Sequence, residues 1–440
     1  MEGFRTALTL SMVVLTSLTA PANAAVALSD EEISQAYIYL LGRLLITRQQ
    51  QLDFKEGFKW NELIHRKPGA VDWPNPNLDV AYSEAWIAVD ETSCTVVTVP
   101  KIDDRYYTVH FLNGWGETLA NINERVLPGR ASGDFALCLR GANVNLPSDA
   151  LRIDIPVKSA RVLSRVALGS DQPKAEALQH QFKLRATGTP KLPEVPTTPI
   201  FELEHLPGVE AFEAATAALG SEPDLSVGLE AQSKAALEIA AAIKDPSERV
   251  RVDAVIKETA FPEIAKAGQT IGHGVIQNGW ARPGVVGEYG LDYTARTLVN
   301  SGGIWANIKP EVLYYRGGKD ADGEDLTGDD VYKMTFPKDE LPPRFAKYFW
   351  SVIAVDNLRF RVLPNPLNRF LLNDQTHPEY AKDGSLTLYF ANEKPSEAPD
   401  GNWLPIPKGQ TFRLTFRFYG PLDGVANGTW WPPALVKLPN

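Results

Sequence analysis

Thr411-Phe-Arg-Leu-Thr-Phe-Arg-Phe-Tyr419 alternates without a break, and that alternation decides the fold class. Successive side chains of an extended strand point to opposite faces. Phe412, Leu414, Phe416 and Phe418 therefore share one face, while Arg413, Thr415, Arg417 and Tyr419 share the other. An unbroken apolar face needs a second layer to cover it. Ser385–Phe390 alternates likewise, with Leu386, Leu388 and Phe390 inward, and Lys382-Asp383-Gly384 before it is a hairpin-type turn. Arg359 and Arg361 flank Phe360 in a third run. The pattern predicts a two-layer sandwich with one buried face per sheet in residues 341–440, opened by Leu341-Pro342-Pro343.

Upstream, residues 169–340 read as a helical and irregular linking region. A Pro/Thr-rich connector, Thr187–Pro199, leads to alanine-rich helical stretches at Val209–Leu219 and Leu229–Lys244. Asp245-Pro-Ser-Glu248 starts a further helix toward Phe261, and Gly272–Gly323 reads as Gly-rich irregular chain. Residues 71–168 return to short β-branched and aromatic runs split by turns. The strands expected there are Ala85–Val89, Thr95–Val99, Tyr106–Phe111, Phe135–Leu139 and Leu151–Ile155. Within residues 25–70, Ser29-Asp-Glu-Glu32 is a capping box, followed by apolar residues at helical spacing to about Gln50. The fold class is α+β and multidomain: two β-rich, sandwich-like domains joined by a helical segment and preceded by one N-terminal helix.

Residues 1–24 read as a signal peptide. Arg5 begins it, Ala7 to Leu18 is mostly apolar, and Ala22-Asn23-Ala24 gives the small-x-small site for cleavage before Ala25. The apolar stretch is too short to span a membrane, and no later one is long enough. The expected setting is secreted or periplasmic. There Cys94 and Cys138, the only two cysteines, pair as a disulfide or stay as two buried thiols. The net charge of −10 argues against nucleic acid as a partner. From residue 341 onward, however, eleven basic residues stand against eight acidic ones.

Several motifs are familiar. Pro76-Asn77-Leu78-Asp79-Val80-Ala81-Tyr82-Ser83, Thr98-Val99-Pro100 and Arg105-Tyr106-Tyr107 resemble domain-of-unknown-function family 1254. Asn365-Pro366-Leu367-Asn368-Arg369, Asp383-Gly384-Ser385-Leu386, Asn402-Trp403-Leu404-Pro405 and Tyr419-Gly420-Pro421 are similar to family 1214. The resemblance implies two β-rich domains joined by a helical segment and carries over no catalytic residue.

Asp79, Tyr82 and Glu84 are the candidates for acid–base chemistry, with Asn77 beside them as a ligand contact or a turn brace. Asp292 and Arg296 have near-helical spacing and can pair along one face or meet a ligand. Trp115 and Trp403 stand in loop-like contexts, suited to stacking on a saccharide or to plugging a domain interface, and Asn368 and Arg369 of the family-1214-like motif are further candidates for ligand contact. Arg413, Arg417 and Tyr419 put guanidinium and hydroxyl groups on one strand face, a combination that suits anionic groups. The six histidines show no metal-ligand spacing, and no G-x-S-x-G, G-x-G-x-x-G or P-loop occurs, so neither metal nor cofactor is expected. Three readings stand. One is an exported protein that binds or hydrolyses a small polar or anionic molecule between the β domains. The others are a non-catalytic carbohydrate- or ligand-binding envelope protein and a structural or partner-binding protein.

Overall fold

A computed structural model describes residues 28–69 and 73–439; the expected signal peptide, residues 1–24, lies outside them. The first helix runs Asp30–Glu56, past its expected end at Gln50. Its capping box forms: Ser29 Oγ accepts the Glu32 amide at 3.2 Å, and the Glu32 carboxylate accepts the Ser29 amide at 2.8 Å. The helix is buried along most of its length because the linking segment folds around it. Tyr37, Leu41 and Leu44 pack there with Phe212, Ile239 and Val252.

The N-terminal β domain is two sheets. A five-stranded sheet runs in the order Ile64–His65, Val80–Ala88, Ser159–Ala167, Tyr107–Leu112, Thr118–Ile122. A four-stranded sheet, Leu151–Ile155, Gly133–Leu139, Thr95–Val99, Lys183–Ala186, packs on it through Ile87, Val97, Phe111, Phe135 and Val162. Cys94 and Cys138 form a disulfide. Ser159–Ala167, the central strand of the first sheet, escapes the sequence pattern. Its core-facing residues are Ala160, Val162, Ser164 and Val166, and Arg161 and Arg165 mark the other face.

The C-terminal sandwich pairs a six-stranded sheet with a four-stranded one. The larger has the order Val275–Gln277, Trp280–Arg282, Val312–Gly317, Phe412–Pro421, Ala346–Asp356, Leu371–Asn373. The smaller has the order Trp403–Pro405, Leu386–Ala391, Tyr332–Phe336, Val436–Lys437. Phe412, Leu414, Phe416 and Phe418 meet Leu386, Leu388 and Phe390 between them, as the alternation predicts.

Three expectations need correction. The sandwich recruits strands well before Leu341, so that residue lies inside it. The Gly272–Gly323 stretch carries three of those strands and the helix Tyr293–Gly303, because most of its glycines sit between short regular segments. Arg359–Arg361 is a turn, held by the Asp356 carboxylate, which accepts the amides of Leu358, Arg359 and Arg361 at 2.6–2.9 Å.

The two larger sheets are also buried on both faces. Their second faces meet across the molecule: Tyr82, Trp86 and Leu163 pack with Val312, Phe349 and Tyr419 around Trp305. Arg, Thr and Tyr at alternate positions look like a solvated face in sequence, and here they lie between domains.

Candidate functional site

Where those second faces do not quite touch they leave a cleft of about 800 Å³, counting its mouth. One wall is the five-stranded sheet, where Tyr82 stands directly across from Arg165 in register. The Arg165 guanidinium lies 5.6 Å from the centre of the Tyr82 ring. The facing wall is the six-stranded sheet, where Tyr314 stands opposite Arg417 and Arg316 opposite Thr415. Trp73, Trp305, Ile304 and Val299 supply apolar lining, and among the described residues no Asp or Glu lines the cleft.

The three arginines are held by neutral acceptors. Arg165 donates to the Trp305 carbonyl at 2.9 Å and to His110 Nδ1 at 3.2 Å. Arginine is only a donor, so His110 is neutral with its proton on Nε2, donated to Thr118 Oγ1 at 2.9 Å. Burial, with the Arg165 charge, holds that imidazole well below its ordinary pKa. Arg316 donates to the Gly268 carbonyl, and burial with the nearby Arg413 charge lowers its pKa to about 10. Arg417 donates to the Asn75 carbonyl at 2.7 Å, and its Nη1 is buried without a hydrogen-bond partner. Among the described residues, no carboxylate ion-pairs with any of the three. Tyr82, Tyr314 and Tyr419 have phenols raised by burial, so each is a neutral O–H donor.

Asn75 is a junction. Its side chain accepts from Thr415 Oγ1 at 2.6 Å and donates to the Gly302 carbonyl at 2.5 Å, while its own carbonyl holds Arg417. Its left-handed backbone, φ 50°, is one that asparagine tolerates.

Asn77, Tyr82, Arg417 and Tyr419 therefore meet at the cleft. Asn77 also closes a turn, accepting the Asp79 amide at 2.8 Å, and donates to the Tyr419 hydroxyl. The other candidates lie elsewhere. Asp79 lies outside the cleft lining and accepts from Asn373 at 2.7 Å. Burial raises its pKa against the pull of Ser351, Asn373 and Arg417. Glu84 is paired with Arg161 and Arg66, so Asp79, Tyr82 and Glu84 form no common acid–base site. Asp292 and Arg296 do not pair with each other. Asp292 caps its helix and meets His273, whereas Arg296 bridges Glu117 and Asp224 and stacks 4.4 Å from the centre of the Trp115 ring. Arg369 braces the Asp400 and Trp403 carbonyls beside the Trp403 ring, and Asn368 closes a turn onto Asn365. Arg413 leans over Phe360, outside the cleft lining.

Sequence reasoning missed Arg165, Arg316 and Asn75. Pro74-Asn75-Pro76-Asn77 is a turn signal that points to Asn75. The arginines carry no local mark, because their setting is made by strands far apart in the chain.

The molecule is thus a two-domain β protein with a cationic cleft between its domains and a helical segment linking them. Residues 60–186 match the model of "Protein of unknown function (DUF1254)" and residues 311–423 that of "Protein of unknown function (DUF1214)", and the chain is a tandem of these two families. No curated protein matches it. The crystal structure of the VPA0106 protein from Vibrio parahaemolyticus shares the fold, with TM-score 0.63 at 19% identity over 93% of this chain and 100% of that one. A putative uncharacterized protein from Burkholderia cenocepacia is similar to it at TM-score 0.47 and 14% identity, over 93% of each chain.

Proposed function

We propose that the protein binds a small organic anion in the cleft between its β domains. One observation carries this reading: two buried arginines, Arg165 and Arg417, and the part-buried Arg316 line a pocket to which no described residue contributes a carboxylate. A buried charge without a counter-ion costs several kcal/mol, so such a site favours a ligand that brings one. Guanidinium groups suit carboxylate, sulfate and phosphate geometry, and the aromatic lining suits an apolar body. Because Asp79 and Glu84 do not flank the cleft, the reading is binding rather than hydrolysis by a carboxylate pair.

Calorimetry with hexanoate and hexanol, matched in length and differing in charge, tests it. Hexanoate should bind at least tenfold more tightly; equal affinities would remove the reading.

The proposal includes export, on the strength of the N-terminal sequence. Protein recovered from outside the cytoplasm should have the mass of a chain that begins at Ala25. A mass that includes Met1 would contradict export by this route.

A further inference from the structure

The two walls of the cleft repeat one motif. On the five-stranded sheet Tyr82 and Arg165 are a cross-strand pair; on the six-stranded sheet Tyr314 and Arg417 are another, with Arg316 one pair further along. Each pair sets a guanidinium beside a phenolic hydroxyl, and all five side chains line the same cleft. An anionic group bound at either wall thus meets a charged fork and a neutral O–H donor, the combination that makes short charge-assisted hydrogen bonds. Resting on the anion-binding reading above, we propose that the ligand is an organic dianion with an acidic group at each end. One end binds the Tyr82–Arg165 pair, the other binds the Tyr314–Arg417 pair, and the ligand bridges the two domains.

Charge balance favours two anionic groups over one. A monoanion held at one wall leaves the arginine of the other wall buried and without a counter-charge. Carboxylates of the protein do not fill that role: among the described residues no ion pair reaches Arg165, Arg316 or Arg417, and the nearby Asp79 is bound by Asn373 outside the cleft lining. Facing sheets stand about 10 Å apart, and the arginines reach into that space from both sides. A chain of a few carbons is long enough to join the walls, and Trp305 and Ile304 give it apolar surface to cover.

The test is a calorimetric series on the full-length protein with glutarate, adipate and suberate against hexanoate and hexanol. The best diacid should bind at least tenfold more tightly than hexanoate, and Arg165→Gln should bring the two within about twofold of each other. Should that variant fail to fold, the wild-type series decides alone. Diacids no tighter than hexanoate, with hexanoate still above hexanol, would overturn the dianion and leave the anion reading standing. Acids no tighter than hexanol would overturn both.

Discussion

Arg161 and Arg165 lie on the same strand and the same face, four residues and about 13 Å apart. Their settings are opposite. Arg161 is ion-paired with Asp53 at 3.2 Å and with Glu84, and its guanidinium lies 4.8 Å from the Phe58 ring centre and 5.4 Å from that of Trp86. Arg165 has an imidazole, a carbonyl and a tyrosine ring, and no carboxylate. The first is a closed site whose charge the chain itself neutralises. The second is open, because the facing wall supplies two more arginines. A buried arginine is informative through what balances it, and burial alone does not separate the structural case from the functional one.

Breaking the closed site should do the most damage. Arg161→Met leaves Asp53 and Glu84 buried without their shared cation, and we expect a loss of about 3–5 kcal/mol in urea unfolding. A loss below about 1 kcal/mol would mean that the pair is not a stabilising unit. Replacing both Cys94 and Cys138 by serine opens a loop of 44 residues and should cost about 4 kcal/mol in the chain-entropy model. Neither cysteine touches the cleft, so hexanoate affinity at a temperature where the variant is folded should stay within twofold. A large fall in affinity would tie the cleft to the outer sheet.

Arg165→Met removes a charge that has no partner and leaves two acceptors without their donor. The expected cost is about 1–3 kcal/mol, smaller than for Arg161. Equal costs for the two arginines would erase the contrast. The smallest effect concerns Asp79. An unfolded aspartate titrates near 3.9, and burial raises the folded value above that. The folded state then keeps its proton longer, so this group's contribution to stability declines as pH rises from about 4 through the folded pKa. Asp79→Asn lacks that decline. The Tm of wild type should fall relative to the variant as pH rises from 3 to 8, and parallel Tm curves would contradict the assignment.

Much of this was legible in the sequence. The two faces of Phe412–Pro421, the capping box at Ser29 and the tandem of β-rich domains rest on local pattern, and the structure keeps them. Asn77, Tyr82, Arg417 and Tyr419 were reachable because turn signals and alternation place them. The boundary at Leu341 was misplaced because a Pro-rich start to one strand looks the same as the start of a domain. Arg165 and Arg316 were not legible. Each lies on a strand that looks half-polar, and what makes them a site is another sheet more than a hundred residues away. Arg296 shows the same limit from the other side: Asp292 is near in sequence, yet its partners are Glu117 and Asp224.

The most direct test takes Arg417→Met through two measurements on one sample, adipate titration and urea unfolding. Loss of a charge-assisted contact predicts affinity weaker by about 1–3 kcal/mol, or roughly five- to a hundred-and-fifty-fold. Arg417 makes one hydrogen bond, to Asn75, so unfolding stability should stay within about 1 kcal/mol of wild type. Unchanged affinity, or a stability loss as large as that of Arg161→Met, would contradict the claim that this arginine is kept for a ligand.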